Sequence, residues 1–279
     1  MENYLYTPQE AVENNIRAEV VKANLPTKRM ILLGIMAGAF IALGGSVSSV
    51  AVHGIENVGL ARALMGAIFP VGLMLVMLVG GELFTGNCLM IMAQMDHKIC
   101  ARQIVRNLFI VYFANLIGAL VIDALVFFSG QLDYSAGGLG AYAIKVALAK
   151  MTIAPSRAVT SGILCNILVC LAILMASAAK DVGGKIWAIF FPIWGFVIGG
   201  FEHCVANMFY IPVGILATTQ PAYVQKAAEL YHITSEQCAA MTPGASIVSF
   251  LCVTLGNIIG GIVFIGAIVY LVYKKKPQV

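Results

Sequence analysis

The chain has 279 residues, 60% of them hydrophobic and 11% charged, with 28 glycines, a mean hydropathy of +0.91 and a net charge of +4. Soluble domains run at about 45–50% apolar and about 25% charged, so this composition excludes an ordinary soluble domain and points to an integral membrane protein with lipid as its solvent. A charge of +4 is too small to argue for nucleic acid, and the seven cysteines form no metal, redox or disulfide spacing.

Residues 1–29 are polar and lack the basic flank and apolar stretch of a signal peptide. Thr7-Pro8-Gln9-Glu10 reads as a capping box with proline at the first helical position, so an amphipathic helix is expected to about Ala23, cytoplasmic and resting along the membrane surface. Apolar stretches follow at about 30–52, 61–95, 107–129, 157–179, 186–217 and 245–273. A span needs about 20 residues, so the second and fifth stretches are too long for one helix. Each is interrupted by a glycine pair followed by an acid: Gly80-Gly81-Glu82 and Gly199-Gly200-Phe201-Glu202. Backbone freed from helix at membrane depth needs protein or a water-filled cavity to satisfy it, so these are expected to be broken, pore-lining segments.

With the N-terminus inside, the cytoplasmic side receives Arg17, Lys22, Lys28, Arg29, Lys98, Arg102, Arg106, Lys180, Lys185 and Lys274 to Lys276. The outer side receives Arg62, Lys145, Lys150, Arg157 and Lys226. The bias favours cytoplasmic termini and six segments in the cell membrane. The expected division is a cytoplasmic helix at 1–29, a membrane channel domain at 30–273 and a cytoplasmic tail at 274–279.

The two halves match each other. At an offset of 120, Gly80, Glu82 and Asn87 fall on Gly200, Glu202 and Asn207. At 142, Asn115-Leu116-Ile117-Gly118-Ala119 falls on Asn257-Ile258-Ile259-Gly260-Gly261. At 128, Arg29 and Gly34 fall on Arg157 and Gly162. Three segments per repeat, at about 30–130 and 157–273, imply two inverted copies, an arrangement that places a substrate path near the midplane.

Ionisable groups inside the membrane are scarce because each charge there costs about 2.5–3.5 kcal/mol or more. Here they are Glu82, Asp123, Glu202 and His203. Glu82 and Glu202 are expected to hold the irregular loops by accepting freed backbone amides, with Asn87 and Asn207 in support. Asp123 is assigned no site role. His203 breaks the repeat, its counterpart being Leu83, and an imidazole with a free pKa of about 6.5 both donates and accepts hydrogen bonds near neutral pH. Thr85 and Asn166 add neutral polar groups.

Gly81-Glu82-Leu83-Phe84-Thr85-Gly86-Asn87, with the run from Gly200-Phe201-Glu202-His203 through Asn207-Met208-Phe209 to Ile211-Pro212, resembles the two signature segments of the formate/nitrite transporter family. The resemblance implies an aquaporin-like all-α fold, a homopentamer with one path per protomer, and passage of small monovalent anions such as formate, nitrite or hydrosulfide, with no cofactor, no resident metal and no enzymatic activity. It puts the central pore histidine on His203, the threonine of the first break on Thr85, the supporting glutamate on Glu202, the vestibule lysine on Lys150 and the polar partner of the histidine on Asn166. Two hydrophobic slits fall on Leu73 with Phe196 and on Phe84 with Val169. Gly81 and Gly86-Asn87 depart from the commoner Ala-Glu-Leu-Phe-Thr-Ser form and suggest a hydrosulfide-conducting branch. The alternatives are an intramembrane metal-dependent protease, for which a second intramembrane histidine is missing, and an aquaporin-like channel for neutral solutes, for which Asn-Pro-Ala boxes are missing.

Overall fold

The computed structural model describes residues 5–274, so the expected tail lies, apart from Lys274, outside the described residues. The described residues are helical, with one isolated bridge, Leu5 to Ala179. The helices are α1 (Pro8–Ala23), α2 (Thr27–Val52), α3 (Val58–Ile68), α4 (Val71–Val79), α5 (Phe84–Asn87), α6 (Met90–Met95), α7 (Ala101–Phe128), α8 (Tyr134–Met151), α9 (Pro155–Ala178), α10 (Val182–Gly199), α11 (Cys204–Ala217), α12 (Pro221–Tyr231), α13 (Ser235–Ala240), α14 (Pro243–Ile259) and α15 (Ile268–Tyr273), the last two joined by a π-helical segment, Gly260–Ala267.

Six spans are long and apolar enough to cross a membrane: Thr27–Val52, Val58–Val79, Ala101–Phe128, Pro155–Ala178, Val182–Gly199 and Pro243–Tyr273. The chain is a multi-pass membrane protein. Its second span bends at Phe69-Pro70 and ends at Gly80; its fifth ends at Gly200, and both glycines have positive φ, +104° and +67°. That backbone region suits glycine, so the sequence stops each helix where the glycine pairs foretell. After each stop the chain is irregular for a few residues and then re-enters helix as α5 and α11.

Close backbone packing fixes where the breaks sit. A Cβ on Gly38 would lie 2.0 Å from the Asn115 carbonyl oxygen, and one on Gly118 would lie 2.0 Å from that of Ile35, so α2 and α7 touch through their backbones. In the other half, Gly256 and Gly260 meet the carbonyls of Val159 and Ile163 at 2.2 and 2.4 Å in the same way, joining the sixth span to α9. Small residues permit this approach where lipid supplies no hydrophobic drive between helices.

The α1 cap forms as the sequence indicates: Thr7 Oγ1 accepts from the Glu10 amide, and the Glu10 carboxylate accepts from the Thr7 amide at 2.8 Å. The helix does not lie free along a surface, however. It packs on α9 and α6 and buries Val12, Asn15, Ile16, Glu19 and Ala23 against the protein.

Candidate functional site

The irregular loops place one polar residue each at the start of a short helix. Thr85 sits in α5, and His203 is the N-cap of α11. Thr85 Oγ1 and His203 Nε2 are 3.0 Å apart, and both residues are buried. His203 Nδ1 accepts the Ala206 amide at 3.0 Å. A neutral imidazole carries one proton, so with Nδ1 occupied as an acceptor that proton resides on Nε2, and Nε2–H donates to the threonine hydroxyl. The hydroxyl proton of Thr85 is thereby left to donate elsewhere. Asn166 Nδ2 holds the Thr85 carbonyl at 3.2 Å and the Asn257 carbonyl at 2.6 Å, so Asn166 supports the threonine rather than touching the imidazole. The Phe196 ring stacks on His203 with centroids 6.0 Å apart.

His203 also lines a small, mostly apolar cavity with Leu73, Phe196, Val169, Phe69 and Leu83. Both members of the expected first slit therefore meet the histidine in one place, and Val169 joins them. Phe84 lies instead against the Tyr112 ring, centroids 5.0 Å apart, and its expected pairing with Val169 is not what lines this cavity.

A carboxylate cluster flanks each break. Lys150, in the last turn of α8, donates to Glu202 Oε1 and Oε2 at 3.0 and 2.9 Å, and Asn207 Nδ2 donates to Glu202 Oε2 at 2.7 Å. At the first break Asn87 Nδ2 donates to Glu82 Oε2 at 2.7 Å and to Asn107 Oδ1 at 2.8 Å. Lys22 of α1 reaches Asn87 Oδ1 at 3.2 Å and Glu19 Oε1 at 2.8 Å. Lys22 is thus the counterpart of Lys150, and the offset of 128 that pairs Arg29 with Arg157 already pairs these two lysines.

The carboxylates do not hold the loop amides, contrary to expectation; their partners are side chains. The loop backbone is held by two asparagines. Asn115 Oδ1 accepts from the Phe84 amide at 3.0 Å while its Nδ2 donates to the carbonyls of Gly34 and Glu82 at 2.8 and 2.9 Å. Asn257 Oδ1 accepts from the Cys204 amide at 2.8 Å while its Nδ2 donates to the carbonyls of Gly162 and Glu202 at 2.8 and 2.9 Å. An asparagine amide carries one acceptor and two donors in a plane; a carboxylate cannot donate to the carbonyls, which is why the task falls to asparagine. Asp123 lies outside this arrangement, fully buried, and neither of its oxygens has a hydrogen-bond partner among the described residues.

The chain is similar to proteins of known family. The family described as Formate/nitrite transporter matches residues 9–271. Among curated relatives, a probable formate transporter of Methanothermobacter thermautotrophicus is 36% identical over 274 residues, covering 92% of this chain and 93% of that one. The formate channel FocA of Haemophilus influenzae is 35% identical, covering 93% and 92%. Among solved structures, a pentameric formate channel with formate bound superposes with a TM-score of 0.80 at 34% identity, covering 89% of this chain and 98% of that one. An FNT family ion channel superposes at 0.79 with 27% identity, covering 94% and 98%. With a match along nearly its whole length and its two signature segments at the breaks, the chain belongs to the formate/nitrite transporter family.

Proposed function

We propose that this protein is a membrane channel for small monovalent anions, formate foremost, working as a homopentamer with one path through each protomer past Thr85 and His203. The names of its relatives support formate and the pentamer. Nitrite and hydrosulfide, ions of the same charge and similar size, are further substrates on this reading. The observation that carries it is the buried Thr85–His203 pair in an otherwise apolar enclosure, with a lysine and carboxylate cluster on each side.

Moving a bare anion from water into an apolar enclosure costs several kcal/mol even after relaxation. Hydrogen bonds to charged groups are worth about 1.5–3 kcal/mol, so donors at the narrowest place offset part of that cost. His203 Nε2–H donates to the Thr85 oxygen and orients its hydroxyl proton toward the path, and a chain of such bonds strengthens each member. The role of a proton donor fits less well. An imidazolium carries a proton on both nitrogens, and a proton on Nδ1 would confront the Ala206 amide that now donates to it. His203 therefore acts by hydrogen bonding, and protonation of the anion, where it occurs, draws on water at either end.

The test is stopped-flow flux of formate, nitrite and hydrosulfide into proteoliposomes at several pH values, with Thr85→Val and His203→Asn beside the parent. Both variants are expected to lose at least tenfold in formate flux, the equivalent of one charged hydrogen bond. A parent that passes none of the three anions, or variants that conduct as the parent does, would overturn the proposal.

A further inference from the structure

Gly200 ends α10 two residues before Glu202. A Cβ built on it would stand 2.2 Å from Arg62 Nη1, 2.9 Å from Cζ and 3.1 Å from Nη2. The guanidinium of α3 therefore rests on the bare backbone at the entrance to the second break, in a place that any side chain at 200 would fill. Arg62 is exposed and has no hydrogen bond or ion pair among the described residues.

This matters because Lys150, the cation bonded to Glu202, is not a free charge. Both oxygens of Glu202 accept from it, so the pair is neutral overall and its field falls off as a dipole's. An incoming anion meets, directly over Gly200, the Arg62 guanidinium, which carries no carboxylate partner among the described residues. At the first break nothing stands within 4 Å of a Cβ on Gly80, and Lys22 is paired with Glu19. The guanidinium thus has no counterpart there, and it breaks the likeness of the two ends as His203 does at the centre.

We infer that Arg62 is an anion-capture residue: it draws a monovalent anion to the Lys150 end and presents it, over Gly200, to the path leading to Thr85 and His203. A guanidinium offers parallel N–H donors that match the two oxygens of a planar anion, which an ammonium does not. The ligand class is therefore the planar oxyanions, formate and nitrite, in preference to hydrosulfide, which has no second acceptor atom. This rests on the anion-channel reading above.

The competing role is structural: a cation near the C-terminal end of α10 stabilises that end through the helix dipole. The two roles separate in the experiment. Full-length protein is reconstituted in proteoliposomes, and formate influx is measured over a range of formate concentrations at low and high ionic strength, for the parent, Arg62→Gln and Arg62→Lys, with hydrosulfide influx in parallel. Capture by an exposed charge weakens as the Debye length shortens from about 30 Å at 0.01 M to about 8 Å at 0.15 M, and steering of this kind changes association by about tenfold or more.

The expected result is that Arg62→Gln raises half-saturating formate about tenfold at low salt with little change in the maximal rate, and flattens the salt dependence. Arg62→Lys should restore the salt dependence for both ions but recover formate saturation only in part. Unchanged half-saturation and salt dependence in Arg62→Gln, or a fall in maximal rate and thermal stability alone, would overturn the inference. If Arg62→Gln does not assemble, Arg62→Lys decides: a formate half-saturation equal to the parent's overturns the planar-anion role. A parent that conducts no formate would instead overturn the channel reading itself, so the two failures are distinguishable.

Discussion

Asn115 and Asn257 make the same three hydrogen bonds at the two breaks, one accepted from the amide that opens a short helix and two donated to carbonyls, all between 2.8 and 3.0 Å. Each side chain is fully buried and replaces a stretch of missing helix ladder. Asn115→Leu or Asn257→Leu keeps the volume and removes the bonds, leaving one amide and one loop carbonyl, that of Glu82 or Glu202, unsatisfied, while the Gly34 and Gly162 carbonyls keep their helix ladder. Each unsatisfied group costs about 1–3 kcal/mol, so either variant is expected to lose about 3 kcal/mol or to fail to assemble. Asp in the same positions should do no better, since a carboxylate has no N–H for the carbonyls. Thermal unfolding in detergent checks both; a midpoint equal to the parent's would show that the loops hold themselves.

His203 has two jobs that separate by substitution. As N-cap of α11 it accepts the Ala206 amide, and through Nε2 it bonds Thr85. Asparagine is a strong N-cap residue and alanine a weak one, a difference of about 1 kcal/mol. His203→Asn should therefore keep near-parental stability and His203→Ala should lose about that much, while both lose the bond to Thr85 and both depress formate flux. Parallel measurement of unfolding midpoints and flux checks this: equal stability of the two variants would remove the capping role.

The breaks are legible in the sequence because two apolar runs exceed one span and glycine pairs interrupt them; His203 is legible because it departs from its repeat partner Leu83. The asparagine pair is visible as a repeat match, but its role is not, since only the fold brings residues 31 and 53 positions away onto it. Lys22 escapes because it lies in a polar leading helix, where charges ordinarily face water; the offset shared with Lys150 is the signal that finds it. Arg62 looks like a topological marker until Gly200 is seen beneath it. The helix α8, which carries Lys150, is not among the apolar stretches because its three glycines and two lysines dilute the pattern.

Gly261 gives Asn166 its room. A Cβ there would lie 2.5 Å from Asn166 Nδ2, 2.6 Å from Cys88 Cβ and 3.1 Å from Cys170 Sγ. Gly261 stands in the π-helical segment, which bends the ladder at the height of the Thr85 support; such segments recur at functional sites. Gly261→Ala should push Asn166 off the Thr85 carbonyl and overpack by about 1–3 kcal/mol, lowering formate flux. Combining it with Asn166→Ala should cost less than the two separately, because the shorter side chain yields the space. Strict additivity in that cycle would show that the glycine acts elsewhere.

The end of the sixth span is tied to the turn after α6 by Asp96, which accepts from Lys98 at 2.9 Å, Lys274 at 3.3 Å and the Tyr270 hydroxyl at 3.3 Å. Burial would raise this carboxyl, but the hydrogen bonds and charges of Lys98 and Lys274 outweigh it and hold the group below its ordinary value. A depressed folded-state pKa means that the contribution is fully present above the unfolded carboxylate's value, about 3.9, and is lost as pH falls through the lower, folded one. Across the neutral range the tie should therefore be constant, and it should release only in acid. Asp96→Asn should mimic the acid state at neutral pH, loosening residues 268–274 by about 0.5–1.5 kcal/mol, with little effect on flux because the cluster touches neither break. Hydrogen exchange of that segment at neutral and acid pH, in parent and variant, checks the sign. Lower protection in the parent at pH 7 than near pH 3, once the intrinsic pH dependence of amide exchange is divided out, would reverse the linkage, and equal protection in parent and variant at pH 7 would show that the carboxylate holds nothing.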